Sequence, residues 1–169
     1  MDQEQEKFEF SKENFKKANE IIAKYPKSKQ ASAIVPLLDL AQRQYGGWIP
    51  KFVVEYVADF LNMPYMRAYE VASFYSMLYQ QKMGKHHIQV CGTTPCMLRG
   101  SEKVIAKCKT KLGIDLGKTT ADGKFTLSEV ECLGACVDAP VAQIDDDYYE
   151  WLTEEKIEEI IDQLSREKN

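Results

Sequence analysis

Four of the chain's cysteines fall in two close couples, Cys91-Gly92-Thr93-Thr94-Pro95-Cys96 and, 35 residues further on, Cys132-Leu133-Gly134-Ala135-Cys136. Thiolates are soft metal ligands, and two couples in glycine-bearing loops could close around one metal centre. A structural zinc ion is one such centre, although its knuckles are usually C-x2-C with spacers of up to four residues. A 2Fe–2S rhomb is another, because each of its irons takes two thiolates. Two iron–sulfur patterns are not met. The plant type places a further cysteine three residues after its C-x4-C, where this chain has Arg99. The Rieske type uses two histidines, and His86 and His87 are adjacent to one another and precede both loops. A two-plus-two 2Fe–2S site fits the spacing best.

The context of these cysteines, VCGTTPCMLRG and ECLGACVDAP, closely resembles the small iron–sulfur subunit family (NuoE type) of respiratory NADH:quinone oxidoreductase, complex I. Gly46-Gly47-Trp48-Ile49-Pro50, Tyr69-Glu70-Val71-Ala72-Ser73-Phe74-Tyr75 and Asp145 to Tyr149 look like segments of the same family, so the resemblance covers roughly residues 31–152. It implies one 2Fe–2S cluster, with Cys91 and Cys96 on one iron and Cys132 and Cys136 on the other. It also implies a partner: a flavin-bearing, NADH-oxidising subunit, with FMN and NADH on that subunit and other peripheral-arm subunits of complex I nearby. With every ligand place filled by protein, no iron is open to substrate. The expected role is electron relay, as a component of NADH dehydrogenase, rather than bond-making catalysis.

Composition is ordinary for a soluble globular protein and argues against several other classes. The chain has 169 residues, 44% hydrophobic and 28% charged, enough for a substantial core. A net charge of −4 argues against nucleic acid, which favours a basic surface. No apolar run approaches the roughly 18 residues of a membrane span. Five cysteines and an acidic start, Met1 to Glu6, unlike an export signal, favour thiols or metal ligands over disulfides. No G-x-G-x-x-G or phosphate loop occurs, so nicotinamide and flavin are expected on another chain.

The elements that must position the cysteines divide into a helical first part, residues 1–83, and an α/β second part, residues 84–169. In the first, Ser11 can cap a helix with Phe15, Ala18, Ile22 and Tyr25 on one face, halted by Pro26. Residues 30–45 carry Ile34, Leu37, Leu38 and Ala41 inward, with Pro36 as a kink or start, and Gly46-Gly47 as a stop. Pro50 opens a third helix through Val53, Val57 and Phe60, closed by Asn62, and Pro64 a fourth with Ala68, Val71, Ala72 and Tyr75. This aromatic-rich half reads first as helix packing and second as a surface for another subunit.

In the second part, His86–Cys91 alternates as a strand that ends at the first cysteine. Residues 101–112 read as a helix with Ser101 as cap, Val104, Ile105, Cys108 and Leu112 on one face, and Gly113 as its end. Phe125–Glu131 reads as a second strand, 141–144 and 148–152 as a hairpin about Asp145–Asp147, and a last helix follows Thr153. The expected class is α/β: a helical bundle followed by a thioredoxin-like 2Fe–2S ferredoxin domain. Gly92 and Gly134 would turn the backbone so that amides point at sulfur. Arg99 and Lys103 would offset the anionic cluster or stay solvated, and Cys108 belongs to the core.

The rival readings are the same role in a soluble NAD-linked hydrogenase or formate dehydrogenase, a freely diffusing ferredoxin, and a structural zinc module. The expected location is cytoplasmic, peripheral to the cytoplasmic face of the bacterial inner membrane, or the matrix side in a mitochondrion.

Overall fold

A computed structural model of the chain describes residues 7–166, and the acidic start read above lies outside them. The chain forms two compact units that divide between Lys82 and Met83.

The first unit is helical: α1 Lys12–Ala23, a 3₁₀ turn Gln30–Ala33, α2 Ile34–Tyr45, α3 Lys51–Phe60 and α4 Tyr65–Phe74. Local chemistry sets most of these limits. The Ser11 hydroxyl accepts from the Asn14 N–H at 3.2 Å and starts α1. Pro36 sits in the first turn of α2, where no intrahelical N–H is needed, and Gly46 ends that helix at φ +101°. Pro50 and Pro64 are the residues before α3 and α4 rather than their first helical residues. Asn62, at φ +49°, stops the chain after α3. Leu37, Leu38, Val53, Val54 and Val57 are fully buried. Around them Phe8, Phe10, Tyr45, Tyr56 and Phe60 meet edge to face, with centroids 5.2–6.2 Å apart. Gln42 is buried within the unit: its Nε2 donates to the Met77 carbonyl at 3.0 Å and its Oε1 accepts from the Tyr79 N–H at 2.7 Å, which fastens the segment after α4. Two expectations fail. Phe15 is half exposed and touches the core through the edge of Phe60, and Tyr75 lies past the end of α4 with its ring partly in solvent.

The second unit holds β1 His86–Cys91, α5 Thr94–Leu98, α6 Ser101–Leu112, β2 Lys118–Thr119, β3 Phe125–Val130, β4 Ala142–Ile144, β5 Asp147–Tyr149 and α7 Glu154–Arg166. Its sheet runs β2-β3-β1-β4-β5, with β1 and β3 parallel and every other pairing antiparallel. A parallel pair needs a crossover, and α5, α6 and β2 supply it. Ile88, Val90, Leu127 and Ile144 from the sheet pack with Val104 and Cys108 of α6 and Ile157 and Ile161 of α7. Lys107 and Lys111 of α6 meet Glu158 on α7, and Lys111 also meets Asp162, all between 2.6 and 3.2 Å. These pairs are partly exposed and contribute little each.

Three local readings need correction. Gly100, at φ +96°, caps α6, and Ser101 is its buried first residue, because the chain enters through a left-handed turn that serine disfavours. The hairpin turn is tighter than expected, with Asp147 already in β5. Trp151, at φ +51°, lies beyond that strand.

The start of β1 is clamped by Asp145. Its Oδ2 lies 2.7 Å from His86 Nδ1, and its Oδ1 accepts the His87 N–H at 2.9 Å. His87 Nε2 lies 2.8 Å from Ser128 Oγ on β3. Burial lowers the His87 pKa to about 4 from the ordinary 6.5, against the opposing charge of Asp145. Between those values the unfolded chain binds the proton and the folded one does not, so stability is full above pH 6.5 and falls as pH drops toward 4. The loss is on the order of 3 kcal/mol at most. His87→Gln keeps a hydrogen-bonding group but cannot titrate. Denaturant unfolding at a series of pH values from neutral to acid is expected to show a shallower decline for this variant than for the parent.

Candidate metal centre

Because β1 and β3 run side by side in one direction, with Cys91 opposite Val130, the chain leaves both strands at the same end of the sheet. Cys91 is the last residue of β1, and Cys132 follows β3 by two. Cys96 is carried on α5, a single turn that the cysteine spacer itself builds: Thr93 precedes it and Pro95 stands in its first positions. Cys136 begins a short 3₁₀ turn, Cys136–Asp138. The fold thus brings all four candidate ligands into one neighbourhood.

Within it the sulfurs are arranged as couples. Cys132 Sγ and Cys136 Sγ are 3.3 Å apart, and the Cys96 thiol donates to the Cys91 sulfur. Thr93 joins the loops, its hydroxyl 3.2 Å from Cys91 Sγ and also hydrogen-bonded to Cys132. The Leu133 amide, from the second loop, donates to the Cys91 sulfur in the first. Cys91 and Cys96 are buried in a small apolar cluster with Ala139 and Val141, whereas Cys132 and Cys136 are exposed.

The electrostatics follow from these contacts. Burial alone would raise Cys91, yet hydrogen bonds from the Thr93 hydroxyl and amide and from Leu133 and Cys96 outweigh it and lower its pKa. Cys96 is pushed up to about 11 by burial, by donating to Cys91 and by the nearby charge of Cys91 and Cys136. The Gly134 amide is the main cause that lowers Cys132, and Cys136 is raised chiefly by its hydrogen bond to Cys132. Each couple therefore pairs a sulfur whose pKa is lowered with one whose pKa is raised.

The glycines divide in function. Gly134, at φ +83°, aims its N–H at Cys132 Sγ over 3.4 Å, as expected. Gly92 does not, because its N–H is taken by the Val130 carbonyl at 3.0 Å and continues the strand pairing. A Cβ at Gly92 would meet the end of the Glu129 side chain, which would have to swing aside. Arg99 lies over the Trp151 ring, 5.3 Å from its centroid, a contact that the sequence reading did not foresee. Two hydroxyl residues were also unforeseen. Thr93 is one, and Tyr148, whose hydroxyl donates to the Leu133 carbonyl at 3.0 Å, is the other. The alternation of a strand reveals which face a tyrosine takes, not which carbonyl it reaches. Cys108 sits fully buried on α6, its pKa pushed by burial up to about 12.

The donor set fits a 2Fe–2S group. Four sulfurs gather with no carboxylate or imidazole among them, as paired soft ligands suited to two irons. Among the described residues, no three His, Cys, Asp or Glu side chains are grouped so as to hold one metal ion.

Residues 18–165 match the family model of the thioredoxin-like 2Fe-2S ferredoxins. The chain belongs to this family. Curated relatives include an NADH-quinone oxidoreductase subunit of Rickettsia felis, 62% identical over 95% of this chain and 96% of that protein. The mitochondrial NADH dehydrogenase (ubiquinone) flavoprotein 2 of Dictyostelium discoideum is 54% identical over 95% of this chain and 65% of its own length. A solved NAD+-reducing NiFe hydrogenase shares the fold at a TM-score of 0.68 and 19% identity. That match covers 78% of this chain and 22% of the hydrogenase chain. Membership of the family gives the chain an iron–sulfur cluster of the 2Fe–2S type and the thioredoxin-like α/β fold. No helix among the described residues is long and apolar enough to cross a membrane.

Serine at Cys91, Cys96, Cys132 or Cys136 is expected to reduce bound iron and acid-labile sulfide sharply after anaerobic purification. Cys108→Ser is expected to keep both and to cost about 1–3 kcal/mol in denaturant unfolding, for a hydroxyl placed in the core. Equal iron loss in all five variants would overturn the ligand assignment.

Proposed function

We propose that this chain is the 2Fe–2S electron-transfer subunit of NADH:quinone oxidoreductase. Cys91 and Cys96 would hold one iron, and Cys132 and Cys136 the other. The observation that carries the reading is the meeting of the two cysteine couples beyond the parallel strands β1 and β3, tied to each other through Thr93 and Leu133. Identity of 62% to the Rickettsia felis protein, along nearly the full length of both chains, supports the same complex.

A 2Fe–2S cluster supplies a one-electron acceptor and donor. The chain's own residues do the rest. Cys91 and Cys96 fix one side of the site within an apolar wall, while Cys132 and Cys136 hold the other near the surface. Amides of Leu133 and Gly134 donate to sulfur, and such bonds favour the more negative, reduced state. With four protein sulfurs on the two irons, no ligand place would be left open to a substrate.

Electrons would come from FMN, reduced by NADH, on a partner subunit, with this chain peripheral to the cytoplasmic face of the membrane and other subunits providing the anchor. The helical unit, read as residues 1–83, would serve as a docking module, and residues 84–169 as the cluster domain. The hydrogenase reading draws on fold alone, since its identity is 19%. A structural zinc ion would use the same four sulfurs, so metal and sulfide content decides between the two readings.

Anaerobic purification is expected to yield about two irons and two sulfides per chain, with an electron spin resonance signal at low temperature after dithionite reduction. Co-expression with the flavin-bearing partner is expected to give a stable pair. Stoichiometric zinc without sulfide would end the redox reading, and a chain that ignores the partner would end the assignment to this complex.

A further inference from the structure

A chain of hydrogen-bonded groups runs from Tyr148 on β5 into loop 132–136 and ends at Cys132. The Tyr148 hydroxyl donates to the Leu133 carbonyl oxygen at 3.0 Å. The amide on the other side of that same peptide group is the Gly134 N–H, which donates to Cys132 Sγ at 3.4 Å. One planar peptide therefore stands between a phenol and a candidate iron ligand. Accepting a proton donor at its oxygen polarises a peptide and makes its N–H a stronger donor, as in other chained hydrogen bonds. It also fixes the plane's direction: a carbonyl held by Tyr148 keeps the N–H turned toward sulfur. Gly134, at φ +83°, has the conformation that this direction demands, one that a side chain disfavours. Tyr148 is half exposed and its ring covers no core, so packing does not explain the contact.

We propose that Tyr148 is a positioning residue that raises the reduction potential of the 2Fe–2S cluster through the Leu133–Gly134 peptide. The inference rests on the cluster reading given above. Reduction adds one negative charge, shared with the sulfurs. A better-aligned and more polarised N–H at Cys132 stabilises the reduced form more than the oxidised one. The site is at the surface, so water competes for the carbonyl when the hydroxyl is absent. What water does not reproduce is the fixed orientation.

The test uses the full chain, purified anaerobically. Tyr148→Phe retains the ring and removes the hydroxyl. Redox titration followed by electron spin resonance is expected to give a midpoint potential more negative than the parent's, at unchanged iron and sulfide content. Electron–nuclear double resonance in deuterated and ordinary buffer is expected to show a smaller coupling to the exchangeable amide proton at Cys132. Gly134→Ala should disturb the same peptide by another route, so its shift and that of Tyr148→Phe should combine to less than their sum. A potential that stays in place or rises in Tyr148→Phe, with the cluster intact, overturns the inference and leaves the cluster reading standing. So does a loss of iron in which the remaining clusters titrate like the parent's, since that is a structural role. A parent chain without iron and sulfide overturns both.

Discussion

Everything at the candidate centre depends on β1 lying parallel to β3. Antiparallel neighbours would send the cysteine couples to opposite ends of the sheet. Parallel pairing with Cys91 opposite Val130 sends them to the same end, despite the 35 residues between Cys96 and Cys132. The constraint reaches far into the sequence. A parallel pair cannot be joined by a tight turn, so the chain must make its crossover, with α6 laid on the sheet, between one couple and the other. The Asp145 clamp on His86 and His87 and the bond from His87 to Ser128 hold the first strand in register at its other end. A one-residue slip would turn Cys91 to the opposite face.

The four sulfurs also explain each other. Four neighbouring thiolates repel, and within each couple the contact between the sulfurs lowers the pKa of one and raises that of the other. Iron held by these sulfurs would displace their protons and supply more positive charge, as metal binding to thiols generally does. The hydrogen bonds from Leu133, Gly134 and Thr93 are already aimed at sulfur before that exchange, so they need little rearrangement after it.

What could be read from the sequence was whatever local chemistry decides. Ser11, Gly46, Asn62 and Gly113 mark helix limits because each meets a backbone demand where it stands. The cysteine couples were legible because ligand spacing is short-range. Cys108 was legible as core because its helix presents one apolar face. The strand β2 was missed because Lys118 and Thr119 are too few to show a period, and α5 because five residues inside a cysteine spacer look like a loop. Gly100 took the capping place expected of Ser101 because the entry to α6 is left-handed, which no periodicity reports. Thr93, Tyr148 and the Asp145 clamp act across 39, 15 and 59 residues, distances that only the folded sheet closes.

The second unit carries its main core apart from the four candidate ligand sulfurs. Ile88, Leu127, Ile144, Ile157 and Ile161 fill the space between sheet and helices, while Cys91 and Cys96 belong to a different, smaller cluster with Ala139 and Val141. In a small zinc module the metal takes the place of a core, and binding energy is folding energy. Here the apolar burial needed for folding is found elsewhere, so the loops can be shaped for their ligand rather than by it. A site built in advance suits electron transfer, because donors fixed by the fold need not reorganise when charge arrives. That separation makes the orientation of a single peptide, such as Leu133–Gly134, able to matter to the potential while contributing little to the stability of the chain.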